Sequence, residues 1–404
     1  MATKLNLHKL MAVGQGYLDE IAVETLDRRE LATAREMIRD TLRGAFRNWN
    51  QYLLREELLG RELAATTFDP QVPRPKFRIQ GSFAYHTVND CQNPPGQQID
   101  QDDGVFLPQS FVLVGNRVRP TIASAAYFKL VEKALAPLCR REGWTLNPVR
   151  KGSCVRVEIS ERLHIDLPLY AIKDSAFEQL VEFTAADSLT KSLQMRDSVD
   201  LDERIYRTLA EAEIMLAHRD DGWIESDPRK LEGWFENAVK LHGSIVRELS
   251  RCFKGMRDAR FDGGLSSICI MALVVSAMET MKDLDPTRLD IALVRTARAI
   301  ARQVEQPVGN PAFPGDTDKL LCKDWTPDYR QRVRGIFLSV ADRMDAAIDG
   351  TFHKGLALSH ATAVFGDRVP ANEDLIAMGG AVAAVRSTPA QVQPKPTVPR
   401  TQSG

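Results

Sequence analysis

A Gly-Ser turn followed by three carboxylates on extended backbone restricts this chain more than anything else in it. Lys76-Phe77-Arg78-Ile79-Gln80 alternates and reads as a strand that runs into Gly81-Ser82 and a short helical turn. Glycine lets the backbone approach a phosphate closely. Ser82 and the first helical N–H groups add donors where the helix dipole favours anions. In Ile99-Asp100-Gln101-Asp102-Asp103-Gly104-Val105-Phe106-Leu107-Pro108, Asp100 and Asp102 are two apart, so an extended chain points both to one side. Asp166 stands in Leu163-His164-Ile165-Asp166-Leu167, with Ile165 and Leu167 on the opposite face.

Each piece alone is ordinary. A Gly-Ser pair is usually a turn, and an Asp-x-Asp is usually a solvated loop. Their combination in this order is specific. Two carboxylates on one face repel unless a divalent cation lies between them, and a lone charge inside an apolar strand is costly unless paired or metal-bound. Mg²⁺ takes oxygen ligands and is held by one or two carboxylates plus substrate phosphates. Asp100, Asp102 and Asp166 therefore read as the ligands of two Mg²⁺ ions, with Mn²⁺ as a substitute. One ion would activate an attacking hydroxyl and the other would neutralise a leaving pyrophosphate.

Gln80-Gly81-Ser82-Phe83-Ala84-Tyr85-His86-Thr87, the segment from Gln98 to Pro108, and His164-Ile165-Asp166-Leu167-Pro168-Leu169-Tyr170-Ala171 resemble the bacterial cGAS/DncV-like nucleotidyltransferases, most of all the DncV-type dinucleotide cyclases. The similarity extends through Trp223-Ile224-Glu225-Ser226-Asp227-Pro228 with Trp234-Phe235, and through Phe253-Lys254-Gly255-Met256-Arg257-Asp258 to Ser266-Ser267. His86 stands where many relatives of the wider superfamily have glycine. The resemblance implies an α+β fold: a bilobed, polymerase-β-like nucleotidyltransferase core with a mixed sheet, an all-helical C-terminal lobe and a long N-terminal spine helix. It also implies that Gln80, Ser82 and Lys254 hold the donor triphosphate. A serine contacts phosphate or base, Ser267 in preference to Ser266. The large residue that often follows, stacking on the base, is Ile268 here, so aromatic stacking has to come from elsewhere.

Composition narrows the partners. The 404 residues suggest two domains or one bilobed unit, and 44% hydrophobic with 26% charged residues is ordinary globular material. A formal net charge of −1 argues against wrapping long nucleic acid and suits a locally basic pocket for a small anion. Six scattered cysteines without Cys-x-x-Cys read as reduced thiols of a cytoplasmic protein. The Met1-Ala2-Thr3-Lys4-Leu5 start lacks the apolar core of a signal peptide, and no run approaches a membrane span.

Along the chain, residues 1–60 read as helical. Leu31, Ala34, Met37, Ile38, Leu42, Ala45, Phe46 and Trp49 form one stripe, and Asp27 is placed as N-cap. The catalytic core is expected over 61–200, with a helix to Glu142 and a hairpin closing at Ser160-Glu161-Arg162, on which Arg156 reads as a solvated charge. Strand signals stop near 200, residues 201–217 read as a helix, and a helical lobe is expected over 201–385. Asp227 and Pro228 form an N-cap and N1 pair. Arg251, Lys254 and Asp258 line a face of the next helix away from its buried one. Residues 386–404 have the composition of a disordered tail.

The expected activity is a cyclic oligonucleotide synthase that joins ATP and GTP into a cyclic purine dinucleotide such as cyclic GMP-AMP. By resemblance, its product is a second messenger of antiphage (CBASS) defence that activates a separate effector protein. A tail ending in Gly404 suits conjugation by a ubiquitin-like E1/E2-type partner, as in relatives of the family. Two alternatives are a linear RNA or oligoadenylate nucleotidyltransferase and a nucleotide-sensing scaffold with a dead site. Retention of all three aspartates speaks against the second.

Overall fold

A computed structural model describes residues 3–65, 73–94, 97–112, 120–175, 177–178, 214–261, 263–281 and 283–380. The chain begins with a two-residue strand, β1 (Leu5–Asn6), and two single-turn helices, α1 (His8–Met11) and α2 (Tyr17–Glu20). The spine helix α3 (Thr25–Arg47) and α4 (Arg55–Ala64) follow. The reading of 1–60 as helical is corrected at its start. Leu7, Leu10, Met11, Tyr17 and Leu18 keep helical spacing and enter the helical core, but the chain turns between α1 and α2, where Gly14 and Gln15 take positive φ (+99° and +83°). The cap is corrected too. Glu24 is the N-cap of α3 and makes no side-chain capping bond, while Asp27 pairs with Arg162 at 2.9 Å.

α3 buries Leu31, Ala34, Ile38, Leu42, Ala45 and Phe46, spaced three and four apart. Each large member is worth about 1.5–3 kcal/mol of burial. They pack with α7 (Pro120–Glu142) against one face of a seven-stranded sheet. Its strands are β2 (Lys76–Gln80), β3 (Ile99–Pro108), β4 (Thr145–Leu146), β5 (Cys154–Glu158), β6 (Leu163–Ile172), β7 (Ile214–His218) and β8 (Gly222–Glu225). The order is β2-β3-β6-β5-β4. β3 and β6 are parallel and the other pairs antiparallel, so the sheet is mixed. β2 leads into α5 (Gly81–Ala84), and α6 (Gln109–Val112) follows β3.

β7 and β8 carry the sheet past residue 200 and correct the expectation that strands stop there. Residues 201–213 lie outside the described residues. Ile214-Met215-Leu216-Ala217 is a good helix-forming string, but β6 beyond Pro168 has an edge that β5 leaves open. Tyr170, Ala171 and Ile172 pair there with Leu216, Met215 and Ile214. Tertiary pairing overrides local propensity.

The helical part contains α8 (Pro228–His242), α9 (Ile245–Arg260), α10 (Ser267–Glu279), α11 (Leu289–Gln303), α12 (Pro327–Asp345) and α13 (Lys354–Phe365). Asp227 caps α8 by accepting from Arg229 N at 3.0 Å, with Pro228 at N1, as its sequence predicts. The last described strand, β9 (Ala377–Met378), pairs with β1 and ties both ends of the described chain to this part. Among the described residues, no helix is long and apolar enough to cross a membrane. All six cysteines are buried free thiols. The described chain thus combines a mixed sheet with helices in an α+β arrangement, with its long N-terminal helix packed on the sheet.

Candidate active site

The turn after β2 is built on Gly81, whose φ of +64° lies in the left-handed region that favours glycine. Its backbone lies directly against the Asp102 carboxylate, so a Cβ here would strike Oδ2. Tyr85 N donates to Gly81 O (3.0 Å) and Thr87 N to Ser82 O (2.9 Å), closing the turn and leaving Ser82 half-buried at the cleft. Gln80 is buried beneath it. Its Oε1 accepts from Tyr170 Oη at 3.2 Å, and its Nε2 has no hydrogen-bond partner among the described residues.

The carboxylates converge through strand register. In the parallel β3–β6 ladder, Asp100 is opposite His164 and Asp102 is opposite Asp166. On the other side of β6, Arg156 of β5 is opposite Asp166. Arg156 donates both Nε to Oδ1 (2.7 Å) and Nη2 to Oδ2 (2.8 Å) of Asp166, and Lys151 Nζ adds a third bond to Oδ2 at 2.7 Å. Burial opposes ionisation of Asp166, but the bonds from Arg156 and then Lys151 outweigh it and hold its carboxyl below the usual range. Arg156 is therefore no solvated charge. Its strand neighbour Asp166 takes the whole fork.

Among the described residues, Asp102 has no such partner. Burial, then the charges of Asp100 and Asp166, push its carboxyl up to about 8. Asp100 keeps 45% of its side chain exposed. Its Oδ1 is nonetheless buried, 2.9 Å from His164 Nε2 but without hydrogen-bond geometry, and neither atom has another hydrogen-bond partner among the described residues. His164 Nδ1 lies 2.9 Å from Gln98 Oε1, which orients the ring. Asp100, His164 and Asp166 each offer a ligand atom within 4.8 Å of the others. His164 was hidden in the sequence as a neighbour of Asp166, although its two-residue spacing places it on the same face. Asp103, the next carboxylate, points to the other face, where Arg39 of the spine donates Nε to its Oδ2 at 2.8 Å.

α9 and α10 supply the facing wall. Lys254 is buried and donates Nζ to Thr87 O at 2.7 Å. Burial, and next the nearby Arg257, bring its ammonium down to about 7. Arg251 and Asp258 lie on this side of α9: Arg251 Nε donates to Asn89 Oδ1 at 3.1 Å, and Asp258 pairs with Arg257. Ser266 is the N-cap of α10, accepting from Cys269 N at 3.2 Å, whereas Ser267 Oγ accepts from Arg257 Nη1 at 3.0 Å. Gln80, Gly81, Ser82, Asp100, Asp102, Asp166, Lys254, Ser266 and Ser267 all line one cavity of about 710 Å³. Lys151 and Arg257 line it too, and neither was singled out from the sequence as a site residue. Gly404 lies outside the described residues.

A cleft of this size walled by carboxylates on one side and cations on the other fits a nucleoside triphosphate with divalent ions. Comparison with known proteins agrees. Residues 75–170, which carry the turn and all three aspartates, match the nucleotidyltransferase domain of the cyclic GMP-AMP synthase DncV-like family. The chain is 31% identical over 335 residues to a cyclic GMP-AMP synthase of Vibrio cholerae serotype O1, covering 78% of this chain and 72% of that relative. It is also 31% identical over 335 residues to a cyclic GMP-AMP synthase of Escherichia coli (strain TW11681), covering 80% and 74%. Its fold matches the crystal structure of Vibrio cholerae DncV cyclic AMP-GMP synthase in complex with the linear intermediate 5′ pppA(3′,5′)pG. That match has a TM-score of 0.72 and 25% identity, and it covers 93% of this chain and 99% of that one. A DncV mutant in complex with ATP, GTP and 5MTHFGLU2 superposes with a TM-score of 0.75 at 24% identity, covering 94% and 100%. The chain belongs to the DncV-like nucleotidyltransferases, the family of the cyclic GMP-AMP synthases.

Proposed function

We propose that this enzyme joins ATP and GTP into a cyclic purine dinucleotide such as cyclic GMP-AMP, by two successive nucleotidyl transfers in one cleft. The observation that carries the proposal is the placement of Asp102 opposite Asp166, with Asp100 two residues back on the same face. The donor set fits divalent metal: a half-buried Asp102 carboxylate with no ion-pair partner among the described residues and a buried Asp100 Oδ1 without a hydrogen bond are what a hard cation would satisfy. Asp100 and Asp102 would hold two Mg²⁺ ions and Asp166 would complete one site, with Mn²⁺ as a substitute. Bound there, the metal would supply hydroxyl activation and neutralisation of the leaving pyrophosphate. Arg156 keeps Asp166 ionised and oriented. Ser82, Lys254 and Ser267 would grip the donor triphosphate across the cleft. Gln80 supports the turn from below.

By family resemblance, the product is a second messenger of antiphage (CBASS) defence made in the cytoplasm, with a separate effector responding to it. Conjugation of Gly404 by a ubiquitin-like E1/E2-type partner belongs to the same reading, and mass spectrometry of the protein made with its neighbouring genes tests it. A free Gly404 under all conditions excludes it.

The activity test is incubation with four labelled ribonucleoside triphosphates and Mg²⁺ or Mn²⁺, then phosphatase treatment and mass spectrometry. The expected outcome is a phosphatase-resistant cyclic product that is absent with Asp100→Ala/Asp102→Ala. Linear products alone would replace the cyclase with a linear polymerase. No product under any condition would favour the dead-site scaffold.

A further inference from the structure

We infer that Phe313 is the ring on which a nucleotide base stacks in this cleft, and that it favours purines. The inference rests on the reading of the cleft as a nucleoside triphosphate site. The residue after Ser267 is Ile268, which lines the cavity but has no π-face to offer. Among the described residues, three aromatic side chains line the same cavity: Tyr85, Tyr170 and Phe313. The two tyrosines are committed to the protein interior. Tyr85 is buried and packs on Phe235 with centroids 6.0 Å apart. Tyr170 is buried, stacks on Phe106 at 4.8 Å and 15°, and spends its hydroxyl on Gln80.

Phe313 is different. It is half-buried, on the connection between α11 and α12, and it borders the cavity. The backbone around it is fixed. Phe313 N donates to Asn310 O at 3.0 Å, Asp316 N donates to Phe313 O at 3.2 Å, and Asn310 Oδ1 accepts from Ala312 N at 3.0 Å. Lys319 Nζ stands 4.2 Å from the ring centroid. A cation on the ring orders it by attraction to the π-system. A pre-positioned ring at the edge of an apolar and polar cleft is a stacking platform. Every base has a π-face, so stacking binds all four nucleotides, and the larger purine bicycle gains more. Phe313 would thus bias the site towards ATP and GTP without reading their edges.

Two readouts on the full chain test this. Binding of labelled ATP and of UTP is measured by equilibrium dialysis, and quenching of a 2-aminopurine ribonucleoside triphosphate by fluorescence. Phe313→Leu keeps apolar bulk and removes the π-face, and Phe313→Tyr keeps both. The expected result is an ATP affinity lower by about tenfold in Phe313→Leu, a smaller loss for UTP, and loss of quenching. Phe313→Tyr should behave as the parent. Unchanged ATP binding and quenching in Phe313→Leu would overturn the inference and leave the cleft reading intact. Equal losses in both variants, or equal losses for ATP and UTP, would also overturn it. If the parent protein bound no nucleoside triphosphate, the cleft reading would fail and the stacking would fail with it.

Discussion

Asp102 and Asp166 are register partners on the parallel strands β3 and β6, and of the two, among the described residues, Asp166 alone takes hydrogen bonds from cationic side chains. The fold therefore holds a half-buried carboxylate at Asp102 without an ion-pair partner among the described residues. The folded-state value for Asp102 (about 8) lies above its unfolded value near 3.8. Between them the native state binds more protons than the unfolded state, so stability falls as pH rises through that window. In metal-free buffer, Asp102→Asn should flatten this decline, raise stability by about 0.5–2 kcal/mol at the alkaline end and abolish turnover. Mg²⁺ should raise the melting temperature of the parent protein and leave Asp102→Asn nearly unmoved. Thermal melts across pH with and without EDTA measure both, and a parent protein indifferent to Mg²⁺ would refute the metal site.

Arg156 is the counterpart of that deficit. It and Asp166 are both largely buried, at 15% and 5% side-chain exposure. Arg156→Met should leave Asp166 among like charges with Lys151 alone, at a cost of about 3 kcal/mol, read as a lower urea midpoint. Arg156→Lys restores the charge without the two-pronged geometry and should recover only part of the loss. Lys151→Met, at a cation 37% exposed, should cost no more than about 1 kcal/mol. Equal effects at the two positions would show that the fork has no special weight.

What the sequence disclosed follows a simple division. Period-two spacing placed Asp100 with Asp102, and Asp166 away from Ile165, and the structure keeps both relationships. The β2 strand and the cap at Asp227 were legible because strand alternation and capping are local. The partners of those residues were not. No spacing rule says that Asp102 meets Asp166 across a parallel ladder, that Arg156 reaches across β5 and β6, or that Arg39 on the spine takes Asp103. β7 was missed for the same reason. A short apolar run becomes strand or helix according to whether a sheet edge is open to it, and that edge belongs to residues more than forty positions earlier.

Gly81 and His86 share positive φ, at +64° and +57°, with opposite consequences. A methyl at Gly81 meets the Asp102 carboxylate as well as backbone strain. Gly81→Ala should therefore cost roughly 1–3 kcal/mol and reduce activity by displacing Asp102. His86 is exposed and carries a side chain in the left-handed region. His86→Gly removes about 1–2 kcal/mol of strain and loosens the unfolded chain by about half as much, so a small net stabilisation is expected. Urea titration of both variants, with initial rates alongside, checks the pair. A destabilised His86→Gly would mean that the imidazole contributes more than its backbone costs.

Lys254 links the two walls through the Thr87 carbonyl, and its buried ammonium sits at about 7 against 10.5 when unfolded. The unfolded state binds more protons between those values, so this group makes stability rise with pH across that window. A bound triphosphate places negative charge beside it and favours its protonated form. Nucleotide binding at about pH 8 should therefore take up a proton, visible as a calorimetric enthalpy that changes with the ionisation enthalpy of the buffer. Affinity should decline as pH rises above neutrality. Lys254→Met should lose both the buffer dependence and the tight binding, whereas Lys254→Arg, charged throughout, should lose the pH dependence alone. Buffer-independent enthalpies in the parent protein would show that Lys254 stays charged in the free cleft, or that the triphosphate does not reach it. The Lys254→Met affinity separates these: a loss means contact with an already charged lysine, and no loss means a structural strut between α9 and the loop at Thr87.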